Sequence, residues 1–225
     1  MVLYVKTEIV KQRGEDLEIY RFFPGSWKSN CYVIIGKSFD ISHALIVDPS
    51  LDAGQLVDFL KEKNARLDAI VLTHGHFDHI LTLDDLRDRT KAPVYIHKND
   101  AEMLSDGEKN AFAFFFGYDM KRKDADRLLD NGEIIRLGDE ELKVISTPGH
   151  SKGSICLMGD HFMVTGDTIF AQGFGRCDLH GGDAETLRHT INMLKDFDEG
   201  LTIYPGHGDS EKLGVALRNV SYFFN

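Results

Sequence analysis

The chain has 225 residues, 42% of them hydrophobic, which suffices for a packed core in one large domain or two small ones. Its 36 acidic against 26 basic residues give a formal charge of −10, which opposes non-specific attraction to a phosphate backbone and argues against a nucleic-acid partner. Cys31, Cys156 and Cys177 are too few and too widely spaced for a disulfide framework, Met1 to Glu8 carry no basic, apolar leader, and no apolar run approaches a membrane span; the expectation is a reducing cytoplasm and no membrane partner.

Short apolar runs, Cys31 to Ile35 and Ala44 to Val47, each closed by a Gly or an Asp-Pro break, read as strands. Asp52 reads as the N-cap of a helix in which Ala53, Leu56, Val57 and Leu60 fall at i, i+3, i+4 and i+7 and make one apolar stripe. A strand at Ala69 to Leu72 follows, then a polar run, then a helical stretch near Leu81 to Arg89. The segment from Lys98 to Asp130 is less regular and carries Ala111-Phe112-Ala113-Phe114-Phe115-Phe116-Gly117-Tyr118. Its first reading is core or a buried dimer surface, its second a lid or substrate wall. Strands are expected again at Leu142 to Ile145, Ser154 to Met158, Phe162 to Thr165 and Leu201 to Tyr204, with a helix from near Asp183 that presents Leu187, Ile191 and Leu194 on one face. No Pro-, Gly- or Ser-rich break separates the halves, so residues 1–225 are expected to form one domain of two sheets or sheet halves covered by helices.

Chemistry concentrates after the strand at 69 to 72, in Thr73-His74-Gly75-His76-Phe77-Asp78-His79. Three imidazoles and a carboxylate in six residues cannot all serve a core, because each buried polar group needs its own hydrogen-bond partner, whereas a metal gives them a shared one. Imidazole and carboxylate suit zinc and iron, and no Cys lies nearby for a thiolate-built structural site, so the run reads as a catalytic metal centre. Three more strand-to-loop corners carry ligand types beside small residues that let the backbone bend close to an ion: Thr147-Pro148-Gly149-His150, Thr165-Gly166-Asp167-Thr168 and Tyr204-Pro205-Gly206-His207-Gly208.

With HxHxDH at 74 to 79, His150, Asp167 and His207, the chain resembles the metallo-β-lactamase-fold hydrolases over nearly its whole length. The resemblance implies an α/β (α+β) class and a four-layer αββα sandwich, two mixed sheets flanked by helices, with metals at one edge of the sheets. It also implies that His74, His76 and His150 hold one metal, that Asp78, His79 and His207 hold a second, and that Asp167 bridges the two. The cofactors so implied are two divalent ions, zinc first, with iron or manganese as alternatives. Zinc β-lactamases of the best-known subclass place a cysteine where this chain has Asp167. Together with Asn30-Cys31-Tyr32, Gly149-His150-Ser151-Lys152-Gly153-Ser154 and Gly173-Phe174-Gly175-Arg176, that aspartate makes the chain similar to the short, single-domain glyoxalase II-like (hydroxyacylglutathione hydrolase-like) proteins. Such proteins lack the C-terminal helical domain that supplies glutathione contacts in the longer enzymes.

Two metals about 3.5–4 Å apart can share a water and lower its pKa towards about 7, so that hydroxide attacks a carbonyl carbon while a metal stabilises the oxyanion. Asp167 is then expected to bridge, and Asp78 to ligate and to orient the hydroxide. A thiolate leaving group, with a thiol pKa near about 8.5, needs little help from a general acid. The expected partner is therefore a small-molecule acyl thioester, with another ester, lactone or amide next. The rival is a mononuclear iron persulfide dioxygenase, whose Gly-Arg-x-Asp run Gly175-Arg176-Cys177-Asp178 resembles. A metal-buffering protein without turnover is the non-enzymatic alternative. Arg176 is a candidate contact for an anionic substrate group or a local partner of Asp178, and His180 a candidate substrate contact. Phe77 reads as core beneath the loop, Thr73 as a local hydrogen bond, and His43, His97, His161 and His189 as structural or exposed; Cys177 is given no role.

Overall fold

The computed structural model describes residues 17–23 and 29–223; the stretch Met1 to Glu8, read above as carrying no leader, lies outside them. Strands that are apolar at every position must be covered on both faces. Runs of that kind fill 31–35 of β2 (Cys31–Ser38), 44–47 of β3 (Ile41–Val47) and 69–71 of β4 (Ala65–Val71), which form one sheet with β1 (Glu18–Phe22), β5 (Val94–His97) and β6 (Arg127–Leu129) in the order β1-β2-β3-β4-β5-β6. Its first two pairings are antiparallel and the rest parallel. The second sheet, β12-β11-β10-β9-β8-β7, is built from β7 (Ile134–Leu137), β8 (Glu140–Ser146), β9 (Ile155–Met158), β10 (Phe162–Gly166), β11 (Thr202–Pro205) and β12 (Glu211–Lys212). It is mixed as well, with β10 and β11 parallel.

Alternation along β2 sorts the layers. Cys31, Val33 and Ile35 face α1 (Ala53–Glu62) and α2 (Leu83–Thr90), joining Leu56, Leu60, Leu83 and Leu86 in one cluster. Tyr32 and Ile34 face the other way, into a cluster between the sheets with Leu45, Val144, Leu157, Val164 and Tyr204. The outer face of the second sheet, Ile145, Cys156, Met163 and Ile203, packs on α4 (Ala184–Leu194) through Leu187, Ile191 and Leu194, and on α5 (Leu213–Val220) through Leu213, Ala216 and Leu217. The result is helix, sheet, sheet, helix, the four-layer α/β arrangement expected. Asp52 caps α1 by accepting the Gln55 N–H at 3.0 Å, as its position suggested.

The reading of 111–118 as core holds only for Ala111 and Phe112, which are buried. The short helix α3 (Phe112–Phe116) leaves Phe114, Phe115 and Phe116 exposed at 67%, 48% and 45%, with Tyr118 at 65%. A five-residue helix that is apolar on every side has only one face to bury, and left-handed residues at both ends, Ala111 and Gly117, keep it from extending into a stripe that could dock. Among the described residues no helix is long and apolar enough to cross a membrane.

One edge of the sandwich collects the chemistry. β3 and β4 are parallel, and two antiparallel steps make β8 parallel to β10 and β11, so the C-terminal ends of five strands finish together. Backbone bonds cross between the sheets there: the Ile155 N–H donates to the Thr73 carbonyl at 2.9 Å and the Asn30 N–H to the Gly206 carbonyl at 2.7 Å.

Candidate metal centre

Beyond β4 the chain bends at Thr73 and His74, is extended at His76, then turns over a 3-10 segment, Phe77–His79. His74 and His76 thereby meet His150, which follows β8, while Asp78 and His79 meet His207, which follows β11. Asp167 leaves the end of β10 between the two groups. Its approach depends on two glycines. A Cβ on Gly206 would stand 2.1 Å from Asp167 Oδ1, and Gly166 has φ +48 with its Cα packed on Thr73, where a Cβ would lie 2.5 Å from the hydroxyl.

In the first group, His76 Nδ1 is 2.8 Å and His74 Nε2 3.1 Å from His150 Nε2. In the second, His207 Nε2 is 3.2 Å and His79 Nε2 3.7 Å from Asp78 Oδ2. Asp167 spans them: Oδ1 lies 3.4 Å from His79 Nε2, while Oδ2 lies 3.6 Å from His150 Nε2 and 3.4 Å from His207 Nε2. All seven residues singled out in the sequence as metal ligands are thus brought together.

The outward nitrogens fix which inward ones carry lone pairs. His79 Nδ1 donates to Asp48 Oδ2 at 2.8 Å, His150 Nδ1 donates to the Arg176 carbonyl at 2.7 Å, and His74 Nδ1 donates at 3.1 Å to the Thr73 hydroxyl. That hydroxyl's own hydrogen is committed to Asp48 Oδ2 at 2.6 Å. Nε2 of all three rings is therefore free to ligate. Burial and the neighbouring imidazoles hold His74 well below the usual histidine range and push His76 down to about 3, so both are neutral donors. At His79 burial also disfavours charge, yet Asp78, Asp167 and Asp48 outweigh it and hold the imidazolium well above that range. For His207, burial is likewise overcome by Asp167 and Asp78, which raise it to about 9.

These features test whether a metal fits. Imidazole nitrogens of His74, His76 and His150 converge at hydrogen-bond distance with too few protons to share, since His74 and His76 are neutral, and His79 Nε2 and Asp167 Oδ1 are buried with no hydrogen-bond partner. Carboxylates that retain a proton on His79 would equally retain a divalent cation in its place. Four imidazoles, a fifth at the rim and two carboxylates form a donor set suited to zinc or iron. The residues fit.

Sequence reasoning missed the support beneath them. Asp48, buried at 1%, accepts from the Thr73 amide at 2.8 Å, from its hydroxyl and from His79. Thr73 thus makes the expected local bond, accepting from His74 Nδ1 at 3.1 Å, and is in addition bound to Asp48 across the sheet. Asp100 ties two ligand loops: it accepts from the Gly75 amide at 3.2 Å, the Gly153 amide at 2.6 Å and the Ser151 hydroxyl at 2.6 Å. Asn30 Nδ2 donates to the Pro205 and Gly208 carbonyls at 2.9 and 2.8 Å, and Tyr32 donates to Pro205 at 2.7 Å, which holds the His207 loop. The Asp-Pro break after β3 was the one visible signal for Asp48.

A cavity of about 570 Å³ opens onto the ligands; His76, Asp78, His150, Asp167 and His207 line it together with Phe77, Ala111, Phe115, Phe116, Phe170, Gly175, Arg176 and Leu179. Arg176 is in the lining and is also held by Asp178, through bonds of 2.6 and 2.7 Å. His180 is not brought to the lining; its Nε2 lies 3.3 Å from Glu102 on the exposed side. Phe77 belongs to the core cluster, as expected, and shows an edge to the cavity too. Burial, with Asp183 and Asp178, raises the Cys177 thiol, which lines no part of the cavity. His43, His97, His161 and His189 take no part in the ligand groups; His43 pairs with Asp68 at 2.6 Å and His97 is buried.

A family model described as the metallo-beta-lactamase superfamily matches residues 24–207. The probable metallo-hydrolase YqgX of Bacillus subtilis is 35% identical over 187 residues, 82% of this chain and 87% of that protein. The probable polyketide biosynthesis zinc-dependent hydrolase BaeB of Bacillus velezensis is 32% identical over 203 residues, 88% of this chain and 82% of that protein. Among solved structures, that of the BLEG-1 B3 metallo-beta-lactamase superposes with a TM-score of 0.82 at 32% identity, covering 92% of this chain and 100% of that one. Fold, ligand geometry and family model agree, and the chain belongs to the metallo-β-lactamase superfamily.

Proposed function

We propose that this protein is a metal-dependent hydrolase that cleaves acyl thioesters, with the hydroxyacylglutathione type as the first substrate to try. One observation carries the reading: among the described residues, the cavity lining holds the metal-ligand side chains but no hydroxyl, thiol or amine that could serve as a protein nucleophile. Divalent ions held by His74, His76, His150, Asp78, His79, His207 and Asp167 would supply Lewis acidity and a hydroxide at neutral pH. The chain's own residues do the rest. Asp78 faces the cavity with Oδ2 beside His207, placed to accept a proton from water and keep the oxygen aimed inward. Asp167 holds the two ligand groups in fixed relation. Among the described residues the lining offers no proton donor apart from the ligands and Arg176, whose guanidinium is bound to Asp178, so the geometry favours a leaving group that departs as an anion. A thiolate meets that condition and an alkoxide or amide ion does not. The names of YqgX and BaeB support the hydrolase class, and that of BaeB supports zinc.

A strained cyclic amide is the second reading, favoured by the likeness to the BLEG-1 β-lactamase. Assay of purified protein for metal content, thiol release from S-D-lactoylglutathione and other acyl thioesters, β-lactam opening and oxygen uptake on glutathione persulfide separates the candidates. Thiol release that rises with metal occupancy, without oxygen uptake, is the expected result. One iron per chain with oxygen uptake would make the protein a dioxygenase and overturn the reading.

A further inference from the structure

The cavity has a composition that the reaction itself does not require. Apart from the ligands and the backbone at Gly175, its lining among the described residues is Phe77, Ala111, Phe115, Phe116, Phe170 and Leu179, with Arg176 the sole charged group among them. Arg176 gives one guanidinium edge, Nε and Nη2, to its own neighbour Asp178 and lies with its guanidinium carbon 5.7 Å from the centre of the Phe115 ring. Among the described residues of the lining, a peptide thiol bearing two carboxylates and an ammonium would therefore find, apart from the ligands, one cation already paired with a carboxylate and no partner for its ammonium. An apolar group would find a continuous surface: Phe77 stacks edge-on and tilted against Phe116 and Phe115 at 5.5 and 5.6 Å, and Phe116 rests on buried Phe112 at 4.6 Å. Two rings nearly half exposed would be stabilised by whatever covers them, since burying apolar area is favourable. Their position beside the ligands makes the substrate's acyl group the occupant in reach, and a cavity of about 570 Å³ holds more than a two- or three-carbon acyl.

We infer that the substrates are thioesters of bulky apolar acids, long-chain aliphatic or aromatic, whose acyl group lies on the Phe77–Phe115–Phe116 wall while the polar thiol carrier stays at the cavity mouth. The inference rests on the reading of the cavity as a thioesterase site. The reaction is then addition of water across the acyl C–S bond: the C–S bond breaks, a C–O bond forms, and carboxylic acid and thiol leave.

The experiment pairs binding with turnover. Straight-chain carboxylates from acetate to decanoate are titrated calorimetrically into the purified, metal-analysed protein, and the matching acyl-N-acetylcysteamine thioesters are assayed for thiol release. Affinity is expected to rise about fourfold for each methylene covered, until the wall is filled. Phe116→Ala and Phe115→Ala should flatten that rise, and both side chains are exposed enough for the fold to tolerate the change; Phe114→Ala, outside the lining, should leave it unaltered. A flat binding series in the wild type overturns the inference, whether a second copy of the chain covers the wall or the acyl group lies elsewhere. If the thioesters are nevertheless cleaved, the thioesterase reading survives without it. A steep binding series with no thiol release from any member sinks the thioesterase reading instead and leaves the apolar occupant standing.

Discussion

Asp48→Asn isolates the support of the metal centre from the ligands themselves. Asp48 sits at φ 54, in the left-handed region that Asn adopts as readily as Asp, so the substitution introduces no backbone strain and changes no volume. It does break the hydrogen-bond arithmetic. The carboxylate accepts three bonds, from the Thr73 amide at 2.8 Å, the Thr73 hydroxyl at 2.6 Å and His79 Nδ1 at 2.8 Å. An amide has one acceptor oxygen. If that oxygen serves His79, the NH2 group confronts the Thr73 N–H, donor against donor. If it serves the Thr73 amide, the NH2 group faces His79 Nδ1 and forces the proton onto Nε2, the nitrogen turned towards Asp167 and Asp78. Either arrangement forfeits a charge-assisted bond in a site only 1% exposed, about 1.5–3 kcal/mol. Charged to the ligand orientation, that is about 10–100-fold in metal affinity, the range usual for partners of ligating imidazoles. Competition with a chromophoric chelator measures it, with the denaturation midpoint of the metal-free variant as control. Wild-type metal affinity in a folded Asp48→Asn variant would refute the argument that this carboxylate sets the His79 tautomer.

Asp167→Ala removes the group that lies within 3.6 Å of both ligand sets, so bound metal per chain and activity should fall together; full activity would sink the bridging role. Asp100→Asn leaves one of three donors from the Gly75 and Gly153 loops and Ser151 unpaired in a buried site and should cost about 1–3 kcal/mol, read as a lowered urea midpoint, whereas an unchanged midpoint would show that the loops do not depend on it. Chelation should abolish activity and lower Tm, because it leaves nitrogens converging at 2.8 and 3.1 Å without a shared cation, and zinc should restore both; activity that persists through exhaustive chelation counts against any metal-assisted route. His180→Ala is expected to leave kcat/KM within about twofold, since its partner is Glu102 on the outer surface and surface changes of this kind are usually small; a large loss would return His180 to the substrate site.

The ligands were legible because short runs encode them. HxHxDH places its donors by local geometry, and His150, Asp167 and His207 each follow a strand whose apolar run announces it. The helix α1 was legible through Asp52 and its stripe, and the layering through runs such as Cys31 to Ile35, apolar on both faces. What escaped was set by distant partners. Asp48 reaches Thr73 across 25 residues and Asp100 reaches Ser151 across 51, and nothing near either aspartate marks it as an acceptor of three bonds. Strands as short as β6 (Arg127–Leu129) and β12 (Glu211–Lys212) exist because a neighbour supplies their hydrogen bonds, which no propensity shows. The helix α5 did carry a signal, with Leu213, Ala216, Leu217 and Val220 at i, i+3, i+4 and i+7, beyond the last ligand. At Phe112 to Phe116 composition pointed to the interior; the left-handed turn at Ala111, a residue with no special liking for that conformation, is what turns the rings outward.

The division of the ligands between the sheets has a consequence for assembly. Each triad draws two donors from the first sheet's loop, His74 and His76 or Asp78 and His79, and one from the second sheet, His150 or His207. Separated from its counterpart, either half of the chain holds at most a fragment of a chelate. A cation is captured only after the two sheets have docked, and its affinity is then spent on keeping them docked. The centre thus reports completion: a partly folded chain is inert towards the bonds its finished form would cleave, and loss of the ion loosens the sandwich at the edge where the substrate enters.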